Sequence, residues 1–181
     1  MEREYSVKLL QTLAALDNKE LTERNIFAAQ ACTLDFANEG DIIILLENGV
    51  AKQQELQRAL NNKLINSAQL LGEGGLAVAL ALACVAGDVG AVIHMIENKP
   101  GEVLLFEKSP DKIILTTEEN NVAELIRYLT VSGISFTRLG TVGANELEIN
   151  LYRQGCYSGQ PSSVIKVPVA ELRKKWQGEK K

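Results

Sequence analysis

The sequence predicts an α+β domain in which one apolar helix lies across a mixed β-sheet. Residues 75–87 carry almost no polar side chains and follow a glycine-rich turn at residues 72–75. A helix without a polar face must be surrounded by protein, so this helix belongs at the centre of the fold. Candidate strands and helices on either side do not alternate regularly, which favours an α+β layer fold over a doubly wound parallel sheet.

The composition agrees with one globular domain. A chain of 181 residues can bury about 70% of the surface that its unfolded form exposes. The formal net charge is −4, and no basic run is interleaved with aromatic residues, so nucleic acid is not an expected partner. The most basic cluster, residues 173–175, suits the last turn of a helix.

Membrane insertion and disulfide formation are not expected. No segment is long and apolar enough to cross a membrane, and the first residues do not resemble a signal peptide. The three cysteines, Cys32, Cys84 and Cys156, are odd in number and far apart, which argues against a disulfide framework or a metal site. We therefore expect a cytoplasmic protein.

Hydrophobic spacing predicts the elements of the N-terminal half. Residues 3–16 carry leucines three and four positions apart, typical of an amphipathic helix that packs on the domain or on a partner. Residues 26–37 end in alternating apolar and polar side chains and are predicted as a half-buried strand. Residues 41–46 are typical of a strand buried on both faces. A further helix is predicted by leucines at positions 56, 60 and 64.

The central helix is followed by a strand and a shorter segment. Gly87 is predicted as the C-cap of the helix. Residues 89–96 are predicted as a strand containing His94, the one histidine of the chain, for which a structural role is the favoured interpretation. A short segment at residues 102–108 precedes a predicted strand at residues 112–116.

The last third of the chain is predicted to contain two helices and two strands. Thr116 and Glu119 have the spacing of a capping box, which predicts that a helix starts there. Strands are predicted at residues 136–141 and 146–151, and a last helix after Pro168.

The glycine turn before the central helix has two interpretations. The unpaired N–H groups and the positive dipole end of a helix N-terminus attract anions, and glycines let a phosphate approach the backbone closely. On that interpretation Gly72, Glu73, Gly74 and Gly75 are candidate phosphate-binding residues. In the alternative interpretation the glycines only allow a tight turn and close helix packing.

The sequence shows no arrangement typical of catalysis. A Ser-His-Asp or Cys-His site would have to use His94, and nothing in the sequence places a nucleophile beside it. The glycine turn lacks both the lysine of a Walker loop and the third glycine of a dinucleotide fingerprint. We therefore assign no catalytic residue, no metal ligand and no definite cofactor.

The order of several motifs does suggest a family. The run GGLAVALA within residues 73–81 resembles the glycine-glycine helix in the last domain of phosphoribosylformylglycinamidine synthase, a member of the aminoimidazole ribonucleotide synthetase-related group. Residues 39–46, 105–107 and 139–149 resemble its strands and turns, and residues 169–176 resemble its closing helix. The likeness covers roughly residues 26–177. It implies a layered α/β/α domain with a mixed sheet over residues 26–181, preceded by a helical extension at residues 1–25.

The chain also departs from the family pattern. A His-Asp-x-Ser stretch normally precedes the two glycines, whereas this chain has Gln, Leu, Leu and Gly at residues 69–72. The arginine of the family's Glu-Ser-x-x-Arg turn is at best replaced by Lys112, which joins the candidate phosphate-binding residues through this resemblance. Lysine cannot make the planar two-point contact of arginine with a phosphate.

The resemblance implies two hypotheses about function. Family members bind ATP mainly through a separate N-terminal domain and take ammonia from a glutaminase domain, so no activity is expected from this chain alone. In the first hypothesis it is a stand-alone, degenerate binding or assembly module that holds a nucleotide or another phosphate-bearing ligand. In the second it is a subunit of a split purine-biosynthesis synthase, an ATP-dependent ligase completed by another chain.

The resemblance also implies that the chain assembles with other chains. Domains of this family usually pair, which implies a homo-oligomer or a partner chain that carries an ATP-binding synthase domain. Residues 3–16 are a candidate contact if their apolar stripe is not covered by the domain itself. In a third, structural hypothesis the helix and sheet support only oligomerisation.

Overall fold

The computed structural model describes residues 2–30, 32–155, 159–161 and 163–178. The helices are α1 Glu2–Ala15, α2 Asn18–Arg24, α3 Gln53–Asn61, α4 Gly75–Gly87, α5 Gly101–Phe106, α6 Val122–Val131 and α7 Val169–Gly178. The strands are β1 Ile42–Leu46, β2 Ser67–Leu70, β3 Ala91–Glu97, β4 Ile113–Thr117, β5 Phe136–Val142, β6 Glu146–Arg153 and β7 Ser163–Pro168. None of the helices in these ranges combines the length and the apolar character that crossing a membrane requires.

The strands of the described residues form one mixed sheet in the order β2-β4-β1-β5-β3-β6-β7. β3 and β6 run parallel, and the other neighbouring pairs are antiparallel. All five residues of β1 are buried, as its apolar run predicts. The predicted α+β class, with helices on both sides of a mixed sheet, is confirmed.

Two apolar clusters occupy the two faces of the sheet. The first contains the inward side chains of β1, β3, β5, β6 and β7 together with α1, α4 and α7. The second is smaller and joins α3 and α6 to β1, β2 and β4. No described residue of β3, β6 or β7 belongs to the second cluster. Helices therefore cover the first face broadly but cover the second face over only about half of the sheet.

α4 is the buried centre that the sequence predicts. Its residues 75–84 are all buried. The prediction of Gly87 as the C-cap is wrong: the helix includes Gly87, and Asp88 is the C-cap in the left-handed region at φ +54°. Gly87 is needed for another reason, since a β carbon there would lie 1.9 Å from the carbonyl oxygen of Phe36.

α1 packs on the domain itself. Leu9 and Leu13 are fully buried in the first cluster, and α1 lies against α4, α7 and β7. The predicted apolar stripe is therefore covered within the chain, which removes the condition under which residues 3–16 were a candidate oligomer contact. The division of the chain at residue 25 stays a prediction.

The predicted strand at residues 26–37 is wrong. This segment contains a 3₁₀ turn, Ala28–Gln30, and a single bridge between Thr33 and Ser67. Its large apolar residues, Phe27 and Phe36, are buried without a strand, and the Phe36 N–H donates to the carbonyl oxygen of Ala83 in α4 at 3.2 Å. The alternation of apolar and polar residues therefore does not correspond to a strand here.

The predicted capping box is also wrong. Thr116 lies inside β4, where it pairs with β1 and β2, and its hydroxyl is 2.7 Å from that of Ser67. A 3₁₀ turn, Glu119–Asn121, comes before α6. The predicted helix through Leu64 ends earlier, at Asn61. The short segment after residue 101 forms α5, and the sequence interpretation missed β2 and β7.

Candidate functional site

The glycine turn before α4 adopts a left-handed backbone. Gly74, the N-cap residue, has φ +78°, and Gly75 has φ +63°. The Gly75 N–H donates to the carbonyl oxygen of Gly72 at 3.2 Å. Two successive positive φ angles are costly for residues with a β carbon, which explains the glycine pair.

The space beside both glycines is occupied by the protein. A β carbon on Gly74 would lie 2.4 Å from Cγ2 of Val78 and 2.9 Å from Cγ2 of Thr12 in α1. A β carbon on Gly75 would lie 2.7 Å from the carbonyl oxygen of Glu107, just after α5. These distances favour the close-packing interpretation of the glycine pair.

Arg24, at the end of α2, reaches the same turn. It is 1% exposed, and its Nη2 donates to the carbonyl oxygen of Glu73 at 2.5 Å. A β carbon on Gly72 would lie 3.0 Å from the guanidinium carbon. The sequence interpretation missed Arg24 because it lies in a polar stretch, where nothing in the pattern indicates a buried cation.

The two charged residues predicted for the phosphate site form ion pairs. Glu73 Oε1 is 2.5 Å from Nζ of Lys108, and Lys112 Nζ is 2.8 Å from Oε2 of Glu47. Both pairs are substantially exposed, so each is worth about 0–1 kcal/mol and can exchange its partner for a ligand at low cost. Phosphate binding by residues 72–75 and Lys112 stays a prediction.

A cleft of about 480 Å³ lies beside the turn. Leu71 and Leu76, on the two sides of the turn, both contribute to its lining, as does Lys112. Residues 72–75 themselves are not among the lining residues, so the turn lies next to the cleft and only Lys112 of the predicted phosphate site lines it. This volume lies in the range of small-molecule pockets, about 300–1,000 Å³.

The cleft exists because β3 and β5 separate. The two strands pair only where residues 91–93 face residues 140–142. Beyond that point β3 continues beside β6, and β5 continues beside β1. His94 then lies on one wall of the cleft, and Arg138 lies on the opposite wall.

A register shift in β5 accompanies this separation. Against β1, Gly140 pairs with Ile43 and Arg138 pairs with Ile44, so Leu139 is the extra residue of a bulge. A bulge bends the strand that carries it and increases its local twist. Leu139 is buried in the floor of the cleft, while Arg138 is exposed at its rim.

The lining combines an apolar floor with cationic residues. The floor consists of buried aliphatic side chains from three strands and from both sides of the glycine turn: Leu45, Leu71, Leu76, Met95 and Leu139. Lys99, Lys112 and Arg138 supply positive charge, and Glu47 and Glu107 supply negative charge. Sequence reasoning identified Lys112 but missed Lys99 and Arg138, which become neighbours only through the splayed strands.

His94 contributes an exposed imidazole to the cleft wall. Its Nδ1 is 3.2 Å from the hydroxyl of Tyr152, and the two ring centroids are 5.9 Å apart. In the part of the chain that the structure describes, no three His, Cys, Asp or Glu side chains are grouped as metal ligands.

The described cysteines lack the environment of a reactive thiol. Burial raises the pKa of Cys32 to about 11, against a smaller lowering by a backbone hydrogen bond with Ala68. Burial also raises the pKa of Cys84, which lies inside α4. Both are free thiols, and Cys156 lies outside the described residues. A thiol with a raised pKa is a poor nucleophile at neutral pH.

The fold and the turn before α4 define the class of the protein. The family model for the AIR synthase related protein, C-terminal domain, matches residues 46–151. The chain belongs to this family, and it is a domain related to PurL, as its curated relatives show.

The similar curated proteins are PurL subunits of phosphoribosylformylglycinamidine synthase. The PurL subunit of Alkaliphilus metalliredigens is 26% identical over 179 residues, covering 83% of this chain and 23% of the relative. That of Anaeromyxobacter dehalogenans is 31% identical over 137 residues, covering 70% of this chain and 16% of the relative. The chain thus spans less than a quarter of the length of these two relatives.

Solved structures share the fold. Thermotoga maritima PurL complexed with ATP matches with a TM-score of 0.62 at 15% identity, covering 78% of this chain and 27% of that one. The hydrogenase maturation protein HypE of E. coli matches with a TM-score of 0.55 at 14% identity, covering 76% of this chain and 51% of that one.

Proposed function

We propose that this PurL-related domain is a binding and assembly module that holds a phosphate-bearing ligand beside the glycine turn and does not catalyse a synthase reaction alone. The observation that carries the proposal is the cleft bordered by Leu71, Leu76 and Lys112. The positive end of the α4 dipole and the Lys112 ammonium both favour an anion at this border. A location in the cytoplasm is part of the same proposal.

The packing of the turn limits where a ligand could approach it. α1, α5 and Arg24 occupy the space beside the glycines, so a ligand would have to approach from the side of the cleft, where Leu71, Leu76 and Lys112 lie. The chain also corresponds to less than a quarter of its PurL relatives in length. We therefore expect no ATP- and glutamine-dependent product formation by this chain alone.

Isothermal titration with ATP, ADP and a phosphoribosyl amide tests ligand binding. We expect at least one of them to bind the parent protein and to bind the Lys112→Gln variant more weakly. Lys63→Gln, on an exposed residue outside the cleft, is the matched control. A ligand at one hundred times its Kd should also stabilise the fold by about 2.7 kcal/mol in a melting experiment. Absence of binding by all three ligands would contradict the phosphate site.

The choice of Lys112 follows from the structure. A carboxylate introduced by Gly75→Asp would test the anion site electrostatically, but its β carbon would lie 2.7 Å from the carbonyl oxygen of Glu107. Such a variant would lose stability whether or not a ligand binds. Lys112 is a partly exposed side chain, so its replacement changes the charge of the cleft without rebuilding the turn.

A second candidate function is that of a subunit in a split synthase. The observation that favours it is the second sheet face, where β3, β6 and β7 have no helix over them in the described residues. Ile96 on β3 is 64% exposed. Related proteins have been solved in assemblies, namely PurLQS from Thermotoga maritima and the HypE–HypF complex.

Light scattering distinguishes the two forms of assembly. The protein should give the mass of a homo-oligomer by itself, or form a complex when mixed with a chain that carries an ATP-binding synthase domain. Val164→Glu, on β7 and outside the lining of the cleft, should weaken an assembly that uses the bare sheet face, because the variant places a charge in the contact. A monomeric mass, together with no complex, would contradict both forms of assembly.

A further inference from the structure

The cleft between β3 and β5 has aliphatic side chains at its floor and at its edge. Its floor is formed by leucines and Met95. Two large apolar side chains exposed to solvent, Ile96 at 64% and Val103 at 39%, also line it. Exposed aliphatic surface around a concavity is a feature of sites that bind an apolar group.

Two cations stand on opposite walls of this cleft. Lys99 follows the end of β3, and Arg138 lies on β5 after the strands have separated. Both side chains are exposed, and neither forms an ion pair with a described carboxylate. Lys112, in contrast, is engaged by Glu47. The lining holds three cations, Lys99, Lys112 and Arg138, against two carboxylates, Glu47 and Glu107, so it keeps a small net positive charge although the chain carries −4.

We propose that the cleft binds a small organic anion, with its phosphate or carboxylate head between Lys99 and Arg138 and its apolar body on the aliphatic floor. This inference rests on the proposed ligand-binding function and names the class of ligand. Arg138 offers the planar fork that contacts two oxygens of an anion, and Lys99 adds a point charge from the other wall. The aliphatic floor suits the apolar part of such a ligand, which has no hydrogen bonds with water to lose there.

His94 supplies a specific signal for testing this inference. It is the one histidine of the chain and lies on the cleft wall, so its imidazole NMR resonances are unambiguous in assignment and come from a lining residue. Titrations with hexyl phosphate, hexanoate and inorganic phosphate separate the two parts of the ligand. The two hexyl compounds compare a phosphate head with a carboxylate head, and inorganic phosphate has no apolar body.

We expect the His94 resonances to shift with hexyl phosphate or hexanoate at concentrations at which inorganic phosphate has no effect. Lys99→Gln combined with Arg138→Gln should weaken this binding by about tenfold or more, because two charge-assisted contacts are lost. Arg127→Gln removes an exposed cation from α6, away from the cleft, and should leave the affinity unchanged. Val103→Ser should weaken binding of the hexyl compounds through loss of apolar contact.

Three outcomes would overturn the inference. The first is no response of His94 to any probe. The second is equal binding of inorganic phosphate and hexyl phosphate, and the third is an affinity that the double variant does not change. If ATP or ADP binds in a manner that depends on Lys112 but not on Lys99 or Arg138, the inference fails while the proposed function stands. If no phosphate-bearing ligand binds in the titrations of the parent protein, the proposed function itself fails.

Discussion

A β carbon placed on Gly140 would lie 1.9 Å from the carbonyl oxygen of Val92. β5 and β3 therefore meet at this point through their backbones, with no room for a side chain. Directly beyond it the strands separate, since their pairing ends with Ile93 opposite Gly140. The cleft thus begins at Gly140, where the lack of a side chain allows the two backbones to meet.

Gly140→Ala should destabilise the protein by about 3 kcal/mol, because the added methyl group forces apart two backbones at the centre of the sheet. Urea unfolding followed by circular dichroism measures the loss. Gly178→Ala is the matched control, since a β carbon at Gly178 meets no atom within 4 Å. Equal stability of Gly140→Ala and the parent would contradict the close contact.

Gly75→Ala should lower the free energy of unfolding by at least about 2 kcal/mol. The variant combines the cost of a β carbon at φ +63° with a contact of 2.7 Å to the carbonyl oxygen of Glu107. Thermal melting compares it with Gly155→Ala, where φ is also positive, at +81°, but no atom lies within 4 Å. A loss no greater than that of the comparison variant would show that packing against α5 is not the constraint.

Arg24→Met should destabilise the protein by about 2 kcal/mol. The variant keeps much of the side-chain volume but removes the charge-assisted hydrogen bond from the buried guanidinium to the carbonyl oxygen of Glu73. Arg58→Met, on an exposed position of α3, should change stability by less than about 0.5 kcal/mol. Chemical denaturation of both variants gives the comparison, and similar losses would argue against a specific role for Arg24 at the turn.

Cys32 and Cys84 should not react with a water-soluble disulfide reagent in the folded protein at pH 8. Burial raises the pKa of both thiols, so neither is a thiolate at that pH, and both are also inaccessible. A Cys156→Ser variant leaves these two thiols as the only ones in the chain. We expect no rapid reaction with the native variant and two equivalents after denaturation, whereas one rapid equivalent in the native state would contradict the burial.

Glu148 should contribute stability that depends on pH. A hydrogen bond from Asn150 Nδ2 at 3.0 Å is the main cause that lowers its pKa below 4.5, and the nearby Lys166 ammonium lowers it further. A lowered pKa in the folded state gives a stabilisation that is present above the unfolded pKa and is lost as the pH falls through the folded pKa.

The comparison of the parent with Glu148→Gln tests this prediction. Urea unfolding should show the parent as the more stable protein near pH 7, and the difference should shrink as the pH falls below 4.5. NMR titration of the Glu148 carboxyl group should give a pKa that rises toward its ordinary value in Asn150→Ala. A difference in stability that is constant with pH would contradict the assignment.

The sequence predicted those elements whose type can be recognised from their own residues, without knowledge of distant contacts. β1 and α4 are apolar throughout and buried throughout, so composition alone located them. β2 was missed because its residues Ser67 and Gln69 are polar although both are buried. Gln69 Nε2 donates to the carbonyl oxygen of Ala79 in α4 at 2.8 Å, a contact between segments that no local pattern shows.

Predicting the cleft would have required knowledge of which distant segments become neighbours in the sheet. Lys99 and Arg138 are far apart in the chain and become opposing residues only because β3 and β5 are neighbours in the sheet and then separate. The bulge at Leu139 has no signature beyond the glycine that follows it. Lys112 was found through family likeness, and the other two cations have no corresponding motif.

The packing of α4 has a consequence for synthesis on the ribosome. This helix is covered by α1, which precedes it in the chain, and by α7, which follows it. While translation has not yet reached residues 169–178, a nascent chain carries an apolar helix with one side still uncovered. Chaperone contact during translation should therefore be concentrated on this helix and should decrease once α7 has left the exit tunnel.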